Sequence, residues 1–384
     1  MHTSRDRILT THVGSLPRST AVTEGVFARE NEQPFDPEAL ARTITAAVDE
    51  VVARQVQVGV DVVSDGEMNK ISYATYIKDR ITGFEGDSER NPPSDLQEFP
   101  GFLKRQASSG GTPSYRRPCC VGDIRVKSSA PLAEDLANFR AAVDAHKPAE
   151  GFMNAASPGV IALFQPNHHY ARHEAYLEAL GEAMRAEYEA IVEAGFILQL
   201  DSPDLGLGRH MMFKDKSEEE YSKLANLHVD VLNEALRNVP AEKVRLHVCW
   251  GNYEGPHHHD APMELVLPVA LRAKPQALLF ESSNPRHAHE WDVFRQADIP
   301  EDKVLVPGVI DSTTNFIEHP RLVAQRIQRF ADIVGRERVI AGTDCGFSTF
   351  AGFGAVDEDI VYAKLGAMVE GAALASRVLW GQAA

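Results

Sequence analysis

The chain has 384 residues, of which 43% are hydrophobic and 24% are charged, and its formal net charge is -16. This composition is typical of a globular protein with enough residues for a sizeable core, and the acidity argues against general binding to nucleic acid or to anionic membranes. The sequence has no run of about 18 apolar residues that could span a bilayer, and its first residues lack the apolar segment of a signal peptide. We therefore expect a cytoplasmic protein with neither a nucleic-acid nor a membrane partner.

Short apolar runs alternate along the chain with stretches in which apolar residues recur at helical spacing. The clearest helical stretches end at Gly59, Gly195 and Gly335, and glycine commonly terminates helices. The apolar runs between the helical stretches have the length and composition of buried strands. They lie at residues 9–13, 60–64, 151–163, 196–201, 244–249, 277–281, 304–310 and 339–343.

Strand-like runs separated by helical patterns predict a parallel sheet covered by helices. About eight such units in one chain indicate an α/β fold of the (β/α)8 TIM-barrel type. An open doubly wound sheet is the alternative, but no Gly-x-Gly-x-x-Gly follows the first run, which disfavours its dinucleotide-binding version. Residues 82–127 interrupt the alternation, so we expect an excursion from the barrel there, with a hairpin near residues 120–126. No linker or internal repeat is visible, and residues 1–384 are predicted to form a single catalytic domain.

Polar residues follow the predicted strands at their C-terminal ends, where barrels of this kind carry their active sites. His247 and Cys249 are two residues apart, which on a strand directs an imidazole and a thiol to the same side. Alone, this pair is more typical of two buried structural residues. Because Glu281 and Cys345 end other predicted strands, the four side chains together form a ligand set that suits tetrahedral zinc.

Six short motifs resemble the catalytic barrel of cobalamin-independent methionine synthases, and equally that of the related epoxyalkane:coenzyme M transferases. As an ordered set they are highly specific, although each motif alone is not. They are Gly-Ser-Leu-Pro-Arg at 14–18, Asp-Gly-Glu at 65–67, Leu-Asp-Ser-Pro at 200–203, His-Val-Cys at 247–249, Phe-Glu-Ser-Ser at 280–283 and Thr-Asp-Cys-Gly at 343–346.

The resemblance implies a catalytic zinc ion and a pocket for homocysteine. The zinc ligands would be His247, Cys249, Glu281 and Cys345. The carboxylates of Glu67 and Asp201 would act as catalytic and substrate-binding residues that grip the amino group of homocysteine, and Ser15 would hold its carboxylate. Arg18, in the same motif as Ser15, is a further candidate for substrate binding.

Three features depart from the family that the motifs resemble. Full-length methionine synthases have a second, N-terminal barrel that helps to bind polyglutamylated folate, and this chain has no room for one. A family histidine proposed as a proton donor is missing, since Thr313 lies near its position. The loop after the predicted zinc strand is longer and contains His257, His258 and His259, which we interpret as a solvated or substrate-lining loop. These departures leave the alkyl donor open between methyl-folate, another methyl donor and an epoxide.

The reaction indicated is zinc-dependent alkylation of a small-molecule thiol, with methyl transfer to homocysteine or a similar amino-acid thiol through a zinc thiolate as the first hypothesis. Epoxide opening by coenzyme M is the alternative within the family, and its sulfonate would need Arg18, Lys70 or Arg209. A zinc lyase or hydrolase that uses zinc-bound water and a binding barrel with a structural metal are further alternatives. Two converging carboxylates favour an amino-acid thiol, because its ammonium group would neutralise them. Homo-oligomerisation is left open.

Overall fold

In a computed structural model, residues 1–89, 92–108 and 116–381 are described. Strands and helices alternate over most of this part of the chain. Its strands are β1 Leu9–Thr10, β2 Val62–Val63, β3 Phe84–Glu85, β4 Cys119–Cys120, β5 Glu150–Ala156, β6 Ile197–Asp201, β7 Val244–Val248, β8 Ala277–Phe280, β9 Val304–Ile310 and β10 Ile340–Thr343. Its α-helices are α1 Thr20–Glu30, α2 Pro37–Val58, α3 Ser94–Gln97, α4 Pro100–Ser108, α5 Ala130–His146, α6 Pro158–Phe164, α7 His173–Glu193, α8 Glu218–Ala235, α9 Met263–Leu271, α10 Trp291–Gln296, α11 Pro320–Val334 and α12 Glu358–Leu379.

A parallel sheet of eight strands forms the centre of the described structure. The strands are hydrogen-bonded in the order β1, β10, β9, β8, β7, β6, β5 and β2, so the first and last strands of that order must meet for the sheet to close. A parallel bridge between Thr11 and Val62 joins the ends of β1 and β2. The sheet is therefore a nearly closed barrel with helices between its strands. The predicted (β/α)8 architecture is confirmed, and the open doubly wound sheet is wrong.

Helix ends follow local signals in the sequence. Helix α2 ends at Gly59, whose φ of 91° lies in the left-handed region that glycine adopts without strain. Helix α8 begins with a capping box in which Ser217 and Glu220 exchange hydrogen bonds. The helices predicted before Gly59, Gly195 and Gly335 are all present. None of the described helices combines the length and the apolarity needed to cross a bilayer.

The apolar run at residues 151–163 was predicted as one strand, and that boundary is wrong. Strand β5 ends at Ala156, and helix α6 begins at Pro158. The hydroxyl of Ser157 accepts a hydrogen bond from the Val160 amide, which caps the helix, and proline suits its first position. A continuous apolar run cannot distinguish a buried strand from a buried helix, but the Ser-Pro pair marks the boundary.

The predicted excursion near residues 82–127 lies between β2 and β5. Residues 90–91 and 109–115 of that segment are outside the described residues. The hairpin expected near residues 120–126 is wrong in its pairing, because Cys119 and Cys120 pair with Glu85 and Phe84 across the segment instead. Helices α3 and α4 of the excursion contribute Leu96 and Leu103 to a cavity at the mouth of the barrel.

A buried arginine lies inside the barrel and connects its strands. Arg245 on β7 donates to the Gln199 side chain at 2.7 Å, the Thr11 hydroxyl at 3.0 Å and the His12 carbonyl at 2.8 Å. Its guanidinium also lies 3.6 Å from the centroid of the Phe152 ring. Burial lowers the pKa of Arg245 to about 9, so the side chain stays charged at neutral pH. Each nitrogen of this buried guanidinium therefore has an acceptor inside the barrel.

We predict that Arg245→Met destabilises the protein by about 3 kcal/mol, because the acceptors on Gln199, Thr11 and His12 lose their donor in a buried site. The measurement is urea unfolding followed by circular dichroism. The control is Arg42→Met on an exposed face of α2, which should change stability by less than about 0.5 kcal/mol. Equal midpoints for the two variants would contradict the structural role of Arg245.

Candidate active site

Three predicted zinc ligands meet at the C-terminal end of the barrel. His247 lies in β7, Cys249 follows that strand, and Cys345 follows β10. All three side chains are buried, and their ligand atoms lie within 4.8 Å of one another. The sulfur atoms are 3.5 Å apart, close to the roughly 3.8 Å expected for two thiolates on one tetrahedral zinc with bonds of about 2.3 Å. The two-residue spacing of His247 and Cys249 therefore brings the imidazole and the thiol to the same point, as predicted from the sequence.

The imidazole of His247 is oriented by a carboxylate. Its Nδ1 lies 3.2 Å from Oδ1 of Asp201, so the tautomer with a proton on Nδ1 donates there and leaves a lone pair on Nε2. That Nε2 atom is buried and has no hydrogen-bond partner among the described residues. Metal-binding histidines commonly have this arrangement, with one ring nitrogen held by a carboxylate and the other on the metal.

The thiols are costly to ionise without a nearby cation. The hydrogen bond with Cys345, burial and the charge of Glu281 together raise the pKa of Cys249 well above its ordinary value. Cys345 gains from its hydrogen bond with Cys249, which lowers its pKa, but burial and Glu281 outweigh that effect and the net pKa is raised. A divalent cation between the sulfurs would offset these costs. The donor set and the unpartnered Nε2 therefore fit zinc.

Glu281 lies beside this group, but its carboxylate is already hydrogen-bonded. Oε1 accepts from the Trp250 amide at 2.9 Å, and Oε2 accepts from the Asn284 side chain at 2.7 Å. Asp344 holds the same loop by accepting from the amides of Ser282, Ser283 and Asn284. Glu281 is not in the cluster of ligand atoms within 4.8 Å, so its role as an exchangeable fourth ligand stays a prediction.

Glu67 and Asp201 line the same cavity in different states of hydrogen bonding. Asp201 accepts from Asn154 and Gln199, each at 3.0 Å, as well as from His247. Glu67 has a φ of 58° and a buried Oε2 with no partner in the described part of the chain. Burial and the charge of Asp201 raise the pKa of Glu67 to about 7, against the opposing effect of Lys70. A strained backbone and an unpartnered buried oxygen are typical of a binding residue.

Ser15 also reaches the cavity, whereas Arg18 does not line it. The Ser15 hydroxyl accepts from the Ser348 amide at 3.4 Å, and a Cβ on Gly346 would come within 2.0 Å of that hydroxyl. Arg18 donates to the main-chain oxygens of Glu67, Lys70 and Ser348. The geometry thus indicates that Arg18 positions the Glu67 segment, and its predicted contact with substrate stays a prediction.

The other candidate cations also have protein partners. The ammonium of Lys70 donates to the Asn154 carbonyl at 2.6 Å and lies 4.5 Å from the centroid of the Tyr76 ring. Arg209 donates to the Phe213 carbonyl at 3.3 Å. Neither Lys70 nor Arg209 lines the cavity.

The cavity above these residues has a volume of about 570 Å³. Its floor is polar and includes Ser15, Glu67, Asp201 and the ligand trio. Its outer wall is largely apolar and comes from loops and from the excursion. The wall includes Tyr73, Pro92, Pro93, Leu96, Leu103, Phe164, Pro203, Leu207, Met211, Tyr253, Phe350 and Phe353.

Sequence reasoning missed Asn154, Gln199 and the aromatic part of the wall. Asn154 and Gln199 are polar residues within apolar strands, and Gln199 is two residues before Asp201 on the same face. A polar amide that interrupts an apolar strand was the sequence signal that could have identified Asn154 and Gln199 as residues of the site. The aromatic wall residues belong to none of the six motifs, and all of them except Phe164, which ends α6, lie on loops, so nothing in the sequence marked them.

The His-rich loop has two roles in the structure. His257 is largely buried, and its Nδ1 is hydrogen-bonded to the Asp260 carboxylate at 2.9 Å. His258 and His259 are exposed, and both lie against the Glu98 carboxylate of the excursion. Glu98, His258 and His259 form a second group whose spacing could bind a metal ion, and all three residues are exposed. Measurements of bound zinc must therefore separate this surface group from the buried trio. Thr313 donates to Asp311 at 2.9 Å and does not line the cavity.

Residues 8–374 match the family model described as the catalytic domain of cobalamin-independent synthase. The chain belongs to this family. The match covers nearly the whole barrel and every residue of the candidate site, so family membership and the confirmed fold are consistent.

Relatives within this family span most of the chain. The methionine synthase of Saccharolobus solfataricus is 26% identical over 368 residues, which are 94% of this chain and 93% of that protein. The solved B12-independent methionine synthase from Shewanella sp. W3-18-1, a complex with selenomethionine, has a TM-score of 0.74 at 18% identity and covers 98% of this chain and 99% of that one. The putative vitamin-B12 independent methionine synthase from Listeria monocytogenes has a TM-score of 0.63 at 17% identity, covering 96% and 98%. These two structures support the fold.

We predict that Cys249→Ser and Cys345→Ser each lose most of the bound zinc, because a hydroxyl is a poor substitute for a thiolate. Asp201→Asn should weaken zinc affinity about tenfold to a hundredfold, because it replaces the charged carboxylate that orients His247 with a neutral amide. The measurement is elemental analysis after zinc loading and dialysis, in a His258→Ala/His259→Ala background that removes the exposed group.

The control is Cys119→Ser, which removes a buried cysteine in β4 outside the site. It should keep about one zinc per chain, like the parent. Full zinc retention by Cys249→Ser, or zinc loss by Cys119→Ser, would contradict the ligand assignment.

Proposed function

We propose that this chain is a zinc-dependent methyltransferase that methylates homocysteine or a closely similar amino-acid thiol. The proposal rests on the buried trio of His247, Cys249 and Cys345, whose ligand atoms converge at the floor of a cavity that Glu67 also lines. Membership of the cobalamin-independent synthase family supports the proposal. We further propose that residues 1–384 act as one catalytic domain in the cytoplasm.

Thiol activation is the chemical task of the floor. A free thiol has a pKa of about 8.5, so only a few per cent of it is thiolate at pH 7. A bound zinc ion would supply a positive charge that lowers the pKa of a coordinating substrate thiol. Asp201 keeps the His247 ring in the required tautomer. Burial excludes water, which would otherwise solvate the thiolate and reduce its nucleophilicity.

Recognition of the amino acid is the task of the carboxylates and Ser15. The unpartnered Oε2 of Glu67 is suited to accept a hydrogen bond from the ammonium group, and Asp201 adds a second negative charge across the cavity. The Ser15 hydroxyl is suited to donate to the substrate carboxylate. Arg18 has a positioning role, since it fixes the main chain that carries Glu67.

Epoxide opening by coenzyme M is the weaker candidate. A sulfonate would require a cation at the thiol end of the cavity, where Glu67 and Asp201 bring negative charge instead. Lys70, Arg209 and Arg18 donate to main-chain oxygens and do not line the cavity. A lyase or hydrolase would need zinc-bound water, and membership of the cobalamin-independent synthase family supports thiol chemistry over that use.

The test is zinc-dependent methylation of a panel of thiols, with methyl iodide as a small probe donor. Homocysteine should react faster than coenzyme M and glutathione, and removal of zinc should abolish the enhancement. Alkylation of coenzyme M without alkylation of homocysteine would overturn the substrate assignment. The absence of any zinc-dependent rate enhancement would overturn the proposed function.

We predict that kcat/KM for homocysteine falls as the pH is lowered through about 7. The pKa of Glu67 is raised to about 7, so the carboxyl is ionised above that pH and neutral below it, where it no longer attracts the ammonium group. Glu67→Gln should lose this limb of the pH profile. It should also lower kcat/KM at pH 8 by about tenfold or more, the scale for a hydrogen bond to a charged group.

The control is Glu254→Gln, which changes an exposed carboxylate on the loop beside the cavity. It should keep both the pH profile and the rate. Glu67→Gln should also keep its zinc, because Glu67 is outside the ligand trio. An unchanged pH profile in Glu67→Gln would remove Glu67 from the ammonium site.

A further inference from the structure

Two adjacent histidines on the loop after β7 share one carboxylate of the excursion. Nε2 of His258 is hydrogen-bonded to Oε2 of Glu98 at 2.9 Å, and Nε2 of His259 is hydrogen-bonded to Oε1 of the same residue. The centroids of the two imidazole rings lie 4.1 Å apart, and the ring planes are inclined by 37°. Glu98, His258 and His259, called here the surface group, offer ligand atoms that lie within 4.8 Å of one another.

A tight turn presents both imidazoles to the same carboxylate. His258 and His259 are the two central residues of a turn that is closed by a hydrogen bond from the Asp260 amide to the His257 carbonyl at 3.2 Å. His257 has a φ of 53°, a left-handed conformation that is uncommon for residues other than glycine. Adjacent side chains on a strand would point in opposite directions, whereas this turn brings both rings to Glu98.

Buried contacts hold the turn against the segment that carries Glu98. Oδ2 of Asp95, three residues before Glu98, accepts from the His257 amide at 2.9 Å and from the Tyr253 hydroxyl at 2.8 Å. Nδ1 of His257 is hydrogen-bonded to Asp260 at 2.9 Å, and the side chains of Asp95 and Asp260 are almost fully buried. These contacts bring the ligand atoms of the surface group together without using them, so the group is preorganised for a ligand.

The chemistry of the surface group suits a divalent transition metal. Two imidazole nitrogens and one carboxylate oxygen are ligands that zinc accepts in proteins, at bond lengths of about 2.0–2.2 Å. Magnesium and calcium prefer oxygen ligands throughout. Hydrogen bonds from His259 and His258 lower the pKa of Glu98, which keeps its carboxylate in the anionic form that a cation requires. All three residues are exposed, so small side-chain rotations can bring the ligand atoms to bonding distance, and water can complete the coordination.

We propose that the surface group binds a second zinc ion, or a chemically similar divalent transition metal, through Nε2 of His258, Nε2 of His259 and the carboxylate of Glu98. The ion replaces the hydrogen bonds between these side chains, and any proton on a coordinating nitrogen passes to solvent. This site is separate from the buried trio and does not depend on the proposed methyltransferase function.

A metal ion at the surface group links two segments that both line the cavity. Glu98 lies between α3 and α4 of the excursion, which contribute Leu96 and Leu103 to the cavity wall. The two histidines lie on the loop that contributes Tyr253 to the same wall. The bound ion therefore adds a direct connection between the two segments at their outer surface and restricts their separation.

The first test measures the second metal ion by calorimetry. The full-length protein is loaded with zinc, dialysed so that it keeps only tightly bound ions, and then titrated with zinc sulfate. We expect one further ion to bind per chain. Glu98→Gln, His258→Ala and His259→Ala should each weaken that binding by at least about tenfold to a hundredfold, the range found when a residue that supports a metal ligand is lost.

The controls are His146→Ala and Glu254→Gln. His146 forms a surface pair with Asp49 at 2.8 Å, which resembles the surface group but has a single imidazole, and Glu254 is an exposed carboxylate on the same loop as the histidines. Both variants should bind the second ion like the parent. No second ion in the parent, or equal binding by the parent and the Glu98, His258 and His259 variants, would overturn the inference.

The double variant His258→Ala/His259→Ala separates this inference from the proposed function. It should lose the second ion and keep the tightly bound ion of the buried trio. Absence of the tight ion in both the parent and the double variant would count against the buried trio, and binding of one weaker ion by the parent alone would still support the surface group.

Hydrogen–deuterium exchange tests the link between the two segments. Saturation with the second ion should slow amide exchange in peptides from residues 98–104 and 250–260, because local opening then requires separation of the metal ligands. Glu98→Gln should not show this slowing, and helix α8 should exchange at the same rate with and without the second ion. A second ion that binds without slowing exchange in either segment would overturn the proposed link.

Discussion

A line of hydrogen bonds between buried polar side chains organises the interior of the barrel and the site above it. Arg245 donates to the Gln199 carbonyl, the Gln199 amide donates to Asp201, and Asp201 accepts from Nδ1 of His247. Each of these side chains hydrogen-bonds to the next, so that no polar group in the series is buried without a partner on that side, which would cost free energy. The direction of the His247 lone pair is consequently set by contacts that start in the middle of the barrel.

The opposite part of the cavity follows a different rule. Its apolar wall comes from the excursion and from loops such as those that hold Tyr73 and Phe350. These loops contact one another through side chains and short backbone bridges. Such segments can change length and composition without disturbing the strand ladders. The floor of the cavity is thus constrained by the geometry of the His247, Cys249 and Cys345 trio, whereas the apolar wall is constrained only by the molecule that it must bind.

This division explains which features could be predicted from the sequence. Alternating apolar and helical patterns gave the barrel, and the spacing of His247 and Cys249 gave two members of the trio, because period and side-chain direction are local properties. The extent of the strand at 151–163 was wrong because burial on both sides removes the alternation that separates strand from helix. The hydrogen bonds that occupy Glu281 come from Trp250 and Asn284, and contacts of that kind depend on how the loops fold over the strand ends. The aromatic residues of the cavity wall, such as Tyr73 and Phe350, could not be predicted at all, since they are neither periodic nor adjacent in the sequence.

The same division limits what family membership says about the reaction. Relatives at 26% identity cover nearly the whole chain, so similarity extends over the full length of the barrel despite large sequence differences. That geometry concerns the thiol, because sulfur must approach a fixed point with a fixed charge around it. Under the proposed function, a donor would bring only its methyl carbon to that point, and the rest of the donor would contact the wall. A change of donor therefore requires new loops and leaves the floor intact, so chemistry at the thiol can be inferred from the strand ends, whereas the donor must be inferred from the charge and shape of the wall.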